Sequence, residues 1–354
     1  MAEMNRVPAY AAQSEDAPLT PFPIDRRDPG PEDVAIDIDY CGVCHSDIHT
    51  ARNEWGGRSV YPCVPGHEII GRVASVGESV TAFKPGDLVG VGCLVDSCQS
   101  CEACDDHEEQ HCQKGSTPTY GGRDVHLGGP TYGGYSKHIV VRDKFVLRIP
   151  ENLDPRAVAP LLCAGITTWS PLAHWKIGKG DKVGVIGLGG LGHMGVKFAN
   201  ALGAEVTMIT TSPEKGEDAK KLGAHHVLIS KNREEMKAHR GRFDFLLNTI
   251  PVAHDLNSYL GLLNRNGTMV IVGAIEKFDG MHSGLLLQNR RRIAGSAIGG
   301  LKETQEMLDF CGEHNIVSDI EMVDMKDINA AWDRVVAADV KYRFVIDMAS
   351  LPAL

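Results

Sequence analysis

In the early part of the chain, apolar side chains recur in short β-like runs, Val34–Ile38 and Ile69–Val76. Pro65-Gly66, Lys84-Pro85-Gly86-Asp87 and Gly133-Gly134 punctuate them. Short apolar runs bounded by turn-setting residues predict strands rather than helices, so the chain up to Pro155 reads as irregular and mainly β. Beyond Pro155 the pattern changes. Lys182–Ile186 is an apolar strand, residues 190–202 carry helical spacing, and Glu205–Ile209 is a strand again, which together make a βαβ unit. Four more apolar runs, His226–Ile229, Phe243–Asn248, Thr268–Val272 and Arg292–Ser296, alternate with helical stretches. The pattern predicts an α/β fold with a doubly wound parallel sheet of six strands. A helix is expected over Lys302–Cys311. A last strand over Tyr342–Met348 is expected to rejoin the first domain. The expected division is a β-rich domain from residues 1–156 and 298–354, with a nucleotide-binding domain over 157–297 between them.

Composition narrows the class. A chain of 354 residues, 43% of them hydrophobic, can bury a large core and fits two domains. Its 39 glycines are scattered between apolar runs, as tight turns require, and do not form one low-complexity block. The net charge of −10, without any Lys/Arg tract, argues against nucleic acid as a partner. Met1–Ala12 lacks the apolar core of a signal peptide and no apolar run is long enough to span a bilayer, so a cytoplasmic protein with no membrane partner is expected. In that compartment the ten cysteines read as metal ligands or free thiols rather than disulfides.

The segment from Val183 to Gly192 places Gly187, Gly189 and Gly192 in a GxGxxG pattern, with Gly190 and Leu191 inside it, between a strand and a helix. In that context the first glycine permits a tight turn, the second lets the backbone approach a pyrophosphate, and the third allows close packing of helix on strand. A glycine-rich structural turn is the competing reading. At the end of the second strand, NAD enzymes commonly carry an acid that accepts the ribose hydroxyls. Here Thr210, Thr211, Ser212 and Lys215 stand there instead, small hydroxyls and a cation suited to a 2′-phosphate, so NADP(H) is the expected cofactor. Thr211 and Ser212 also read as caps of the following helix, and the two roles are compatible.

Cys98, Cys101, Cys104 and Cys112 supply four thiols within fifteen residues. This spacing suits a closed tetrahedral zinc knot that stabilises a lobe rather than catalysing, and an iron–sulfur cluster is the weaker alternative. Candidates for a second metal are scattered: Cys44, His67 with Glu68, and one of the remaining cysteines. Spacing alone leaves them equally readable as buried thiols and a structural histidine.

Taken in order, Cys41-Gly-Val-Cys44-His45-Ser46-Asp47-Ile48-His49, Pro65-Gly66-His67-Glu68-Ile69-Ile70-Gly71, the four-cysteine knot and the run from Gly187 to His193 resemble the zinc-containing medium-chain dehydrogenases over nearly the whole chain. Thr211–Lys215, Gly133-Gly134-Tyr135-Ser136 and Tyr342-Arg343-Phe344-Val345 resemble the cinnamyl-alcohol-dehydrogenase branch and its bacterial aldehyde reductases. The resemblance implies a GroES-like catalytic domain beside the Rossmann domain, with the active site in the cleft, and two Zn2+ per chain. It makes Cys44, His67 and Cys163 the ligands of a catalytic zinc, with Glu68 a nearby carboxylate able to join them. Zinc would polarise an aldehyde oxygen while the nicotinamide delivers hydride. Ser46 and His49 match a proton relay, and Asp47 matches an acid that orients His67. Without the resemblance, Ser46 is an ordinary polar loop residue and His49 a solvated one. His45, Thr167, Ser296 and Arg343 match cofactor contacts, and Cys41, Cys63, Cys93 and Cys311 remain structural thiols.

Residues 117–135 depart from the plant enzymes in length and polarity and are expected to border the substrate cleft. A broad aldehyde range follows, set by apolar groups such as Trp55 and Leu94, although Trp55 serves a core or an interface equally well. The resemblance also implies a homodimer through edge strands of the Rossmann domain. The expected function is hydride transfer between NADP(H) and an alcohol/aldehyde pair. The rival readings are an NAD-preferring alcohol dehydrogenase and a non-catalytic zinc protein on the same fold.

Overall fold

The computed structural model describes residues 4–273, 277, 278 and 280–353. The chain forms two compact units: Met1–Cys163 together with Gly299–Leu354, and Ala164–Ile298.

The second unit is a six-stranded parallel sheet in the spatial order His226–Ile229, Glu205–Thr210, Lys182–Ile186, Phe243–Asn248, Leu263–Ile271, Arg292–Gly295. Numbered along the chain this is 3-2-1-4-5-6, the doubly wound order of dinucleotide-binding folds. Strands covered on both faces read as continuous apolar runs, and that is why this region was the most legible. Ile186, Ile209, Leu228, Phe243, Leu246 and Met269 form its core with Leu256 and Leu260 from the short helix Leu256–Leu260. Each such side chain contributes roughly 1.5–3 kcal/mol on burial. The helix Gly192–Ala201 starts two residues later than its apolar spacing suggested, because the turn continues through Gly190 and Leu191. The strand Leu263–Ile271 begins earlier than expected and shifts register between Phe243 and Phe245 of its neighbour.

The first unit is built on a seven-stranded sheet. Its main path runs Ile320–Asp324, Arg343–Asp347, Asp33–Gly42, Ile69–Val76, Leu88–Val91, Leu147–Arg148, and His138–Arg142 also pairs with Asp33–Gly42. The tail strand Arg343–Asp347 lies antiparallel to Asp33–Gly42 with Val345 opposite Gly42, and Val43 N–H donates to Phe344 O at 2.9 Å. An N-terminal ribbon, Met4–Ala11 with Thr20–Arg27, stands apart from this sheet. Among the described residues no helix is long and apolar enough to cross a membrane.

Candidate active site

Asp33–Gly42 leads directly into the helix His45–Ala51, whose N-cap is Cys44 in extended geometry (φ −110°, ψ 149°). Helix starts leave backbone N–H groups without intrahelical acceptors. Here Asp47, at the third helical position, reaches back and accepts from Cys44 N–H at 2.8 Å. The same carboxylate accepts from Gly66 N–H at 3.0 Å and lies 3.4 Å from His67 Nδ1. One fully buried acid therefore fixes the cap, the Pro65-Gly66 turn and the imidazole. Gly66 has φ +104°, and a Cβ there would sit 2.8 Å from Cys41 Sγ, Gly134 N and the Tyr135 ring, so the turn admits only glycine. Cys163 arrives from the far end of the short turn Ala159–Leu162.

Ligating atoms of Cys44, His67, Glu68 and Cys163, all four buried, lie within 4.8 Å of one another. Cys44 Sγ and Cys163 Sγ are 3.8 Å apart. This matches the edge of a tetrahedron with metal–sulfur bonds of ~2.3 Å. His67 Nε2 is buried without a hydrogen-bond partner, the ring nitrogen left over once Nδ1 faces Asp47. A buried polar atom is seldom left unpaired in a folded protein, and soft thiols with one imidazole fit zinc. The residues present therefore fit the metal.

The electrostatics agree. A hydrogen bond with Cys163 holds the Cys44 thiol well below its ordinary range, against the effect of burial and with help from His67. Burial opposes protonation of His67, but the negative field of Cys93, Asp47 and Cys44 outweighs it and raises the imidazole well above its usual range. Burial pushes the Glu68 carboxyl up to about 7 despite Arg343 beside it. The pocket favours a cation.

Glu68 and Arg343 form a buried ion pair through Oε1 and Nη2, while Glu68 Oε2 and Arg343 Nε have no partner. A Cβ on Gly42 would lie 1.9 Å from Glu68 Oε2, so glycine makes room for this carboxylate. Arg343, expected at the cofactor, pairs with Glu68 through Nη2 and keeps Nε without a partner, as Glu68 keeps Oε2. His45 stacks on His49 with ring centroids 5.2 Å apart, His49 stacks on Trp55 at 5.5 Å, and His49 Nδ1 lies 2.5 Å from Glu54 Oε2. Ser46 sits beside them, half-buried on the first turn of the helix. Burial and the neighbouring His49 lower the basicity of His45.

The four-cysteine loop closes as spaced, with ligating atoms of Cys98, Cys101, Cys104 and Cys112 within 4.8 Å. Cys98 and Cys104 sulfurs are 3.9 Å apart and those of Cys101 and Cys112 are 4.0 Å apart. Backbone N–H groups of Cys98 and Gln113 donate to Cys112 and Cys101 sulfurs at 3.4 Å. The lobe docks through Glu109, whose buried carboxylate accepts from Leu301 N–H at 2.9 Å at the start of the helix Leu301–His314.

In the second unit Gly187 has φ +92°, and a Cβ on Gly192 would lie 1.9 Å from Gly187 O. A Cβ on Gly189 would meet nothing within 4 Å. Two glycines are thus demanded by the turn and by packing, and the third stands over open space where a pyrophosphate would approach. That fits a dinucleotide. Thr210 is buried at the end of its strand and takes Ser212 N–H at 3.3 Å. Ser212 caps the helix Pro213–Lys221 through Lys215 N–H, and the Thr211 and Lys215 side chains stay exposed. Thr167 is buried on the helix Ala164–His174, and Ser296 N–H donates to Ile271 O at 3.2 Å.

Sequence reasoning missed several neighbours. Cys93, read as a structural thiol, donates to Leu162 O at 3.7 Å, next to Cys163 in the chain. Tyr120 stacks on His67 with centroids 5.4 Å apart, so the 117–135 segment reaches the cluster at its beginning. Its tip turns away: Leu127, Gly129, Pro130 and Tyr132 line a cavity of about 280 Å³ with Phe22 and Arg26 of the N-terminal ribbon. Leu94 is buried, and Trp55 is exposed against His49.

A doubly wound nucleotide domain, joined to a β unit with an open Cys/His centre and a closed Cys centre, defines a metal-dependent dehydrogenase. Residues 30–151 match the alcohol dehydrogenase GroES-like domain, and residues 190–313 match the zinc-binding dehydrogenase domain. The chain is 55% identical to aldehyde reductase YahK of Escherichia coli, over 98% of this chain and 99% of that protein. It resembles the solved cinnamyl alcohol dehydrogenase of Sorghum bicolor, with TM-score 0.95 and 42% identity over 99% of this chain and 100% of that one. It also resembles the Helicobacter pylori enzyme solved with NADP(H), with TM-score 0.91 and 43% identity over 98% and 99%. The chain belongs to the zinc-dependent medium-chain alcohol dehydrogenases, in their cinnamyl-alcohol-dehydrogenase branch.

Proposed function

We propose that this enzyme reduces a broad range of aldehydes, and oxidises the corresponding alcohols, at a centre where Cys44, His67 and Cys163 hold a catalytic zinc. The observation that carries the assignment is His67 Nε2, buried, unpaired and grouped with the two thiols. When bound, NADPH would supply the hydride and the zinc would supply Lewis-acid polarisation of the substrate oxygen. The chain's own residues do the rest. Asp47 holds the His67 ring with Nδ1 turned inward. Glu68, paired with Arg343, keeps one free oxygen beside the ligands. Ser46 and His49 relay the proton, inward to the product oxygen in aldehyde reduction and outward in alcohol oxidation, which their half-buried places on one short helix support. The Gly187–Gly192 turn receives the pyrophosphate, and Thr210, Thr211, Ser212 and Lys215 receive the 2′-phosphate. His45, Thr167, Ser296 and Arg343 complete the cofactor contacts. Cys98, Cys101, Cys104 and Cys112 hold the structural zinc.

Two features extend the reading to assembly and setting. Six of the ten cysteines belong to the two metal-binding groups, a use of cysteine that suits a reducing cytoplasm. The strand Arg292–Gly295 ends its sheet, which supports a homodimer through that edge.

The test is steady-state reduction of an aldehyde panel with NADPH and with NADH, together with metal content. Expected are two zincs per chain and NADPH-dependent turnover across aromatic and aliphatic aldehydes. Two bound zincs without turnover on either cofactor would sink the proposal in favour of a binding protein on the same fold, and faster turnover with NADH would sink the phosphate pocket.

A further inference from the structure

Asp47 gathers more donors than its role toward His67 requires. Cys44 N–H and Tyr135 hydroxyl reach Oδ2 at 2.8 and 3.3 Å, while Gly66 N–H and His67 Nδ1 lie 3.0 and 3.4 Å from Oδ1. The Tyr120 hydroxyl lies toward the same carboxylate and the Thr50 side chain, and burial, helped by the Asp47 charge, pushes its pKa well above the usual range. Tyr135 is itself held, because Trp332 Nε1 donates to its hydroxyl at 3.4 Å. A carboxylate removed from water is costly unless its roughly four acceptor sites are filled. Two backbone donors and the imidazole leave one or more sites for the phenols. Tyr120 adds a second constraint: its ring lies nearly parallel to the His67 ring, 18° apart, so the imidazole is restrained at its edge by Asp47 and on one face by Tyr120.

We infer that Tyr120 and Tyr135 are positioning residues for the metal-binding histidine, locking the His67 ring through Asp47 so that Nε2 faces the Cys44 and Cys163 thiols. The inference rests on the reading of His67 as a zinc ligand. Neither tyrosine touches the reacting atoms. Tyr135 is enclosed by Gly66, Asp47 and Trp332, and Tyr120 stands behind the imidazole. Their effect falls on how firmly the ring is presented. Donors behind a metal-bound histidine typically alter metal affinity by about 10–100-fold. The hydroxyls act from positions 73 and 88 residues along the chain from Asp47, so a local sequence signal for the role does not exist.

The test measures zinc release from the holoenzyme to the chromogenic chelator 4-(2-pyridylazo)resorcinol. Wild type is expected to release zinc in two phases, and Cys163→Ala identifies the catalytic phase by removing it. Tyr120→Phe keeps the stacked ring and Tyr135→Phe keeps the buried volume, so each removes one hydroxyl. Each is expected to speed the catalytic phase about tenfold, and the double variant more, with the four-cysteine phase unchanged. A purely structural role would move both phases together. Should Tyr135→Phe lose both phases, Tyr120→Phe decides alone. Wild-type catalytic release in the variants overturns the inference and leaves the zinc assignment standing. A wild-type profile that neither Cys163→Ala nor Cys163→Ala combined with Cys93→Ala alters overturns the zinc assignment, and the inference with it.

Discussion

At the scale of single residues, Cys163 separates metal chemistry from scaffold. Its sulfur is 3.8 Å from Cys44 Sγ, Cys93 donates to the carbonyl of the preceding Leu162, and Cys163 ends a short turn rather than a strand. Cys163→Ala is therefore expected to fold, to retain about one zinc per chain in the four-cysteine loop, and to lose aldehyde reduction by about a thousandfold or more. Metal analysis beside steady-state kinetics checks this; full activity with two zincs would remove Cys163 from the ligand set. The neighbouring Cys93 thiol gives Cys163→Ala a second outcome. If Cys93 took over as a ligand, two zincs would remain with altered kinetics, and Cys93→Ala in the same background would then release one. The contact with Cys93 was not visible in the sequence because its partner Leu162 lies 69 residues away, whereas Cys98 to Cys112 announce themselves by sharing one loop.

At the scale of elements, the glycine turn divides into fold and function. Gly192 lies against Gly187 O with no space for a Cβ, so Gly192→Ala forces the helix Gly192–Ala201 off its strand at a cost of about 1–3 kcal/mol. Gly189 faces open space, and its substitution costs the apoprotein little. The expected outcome is a lowered melting temperature for Gly192→Ala. For Gly189→Ala the expectation is an unchanged melting temperature with NADPH binding weakened about tenfold or more. Calorimetry of both variants reads the two effects separately, and wild-type NADPH affinity in Gly189→Ala would place the pyrophosphate elsewhere. The same contrast explains legibility. Lys182–Ile186, His226–Ile229 and Phe243–Asn248 fall where their apolar runs predict, because strands of a parallel sheet covered on both faces are mostly apolar and stand out between polar turns. The ribbon Met4–Ala11 with Thr20–Arg27 was not predicted: Pro8, Pro21 and Pro23 argue against strands and are tolerated here because the ribbon has only two. The helix Ala164–His174 also escaped, since it is apolar on most faces and carries Pro171 inside. Cys44, His67 and Cys163 became a set only through resemblance, as strand register and two separate turns bring them together.

At the scale of the whole molecule, the sheet of the nucleotide unit ends in two edge strands, His226–Ile229 and Arg292–Gly295. Arg292–Gly295 pairs with Leu263–Ile271 on one side and ends the sheet, so its outward backbone groups have no strand partner among the described residues. Leu287 is 80% exposed on the short helix Gly284–Leu287 that precedes this strand, and Val252 and Met281 are also exposed apolar residues of the unit. An open edge accompanied by exposed apolar side chains invites aggregation unless a partner covers it. A second copy would cover the edge, because a two-fold axis would pair the edge strand with itself, and Leu287 on the helix just before that strand would lie near the seam. Leu287→Asp places a charge on that surface without touching the metal residues or the Gly187–Gly192 turn. Light scattering at micromolar concentration is expected to give a dimer for wild type and a shift toward monomer for Leu287→Asp, with zinc content unchanged. A monomeric wild type would remove the dimer, and the open edge would then need another cover. A dimer that withstands Leu287→Asp but dissociates when Ile293 on the edge strand is replaced by proline would keep the edge as the interface and exclude Leu287 from it.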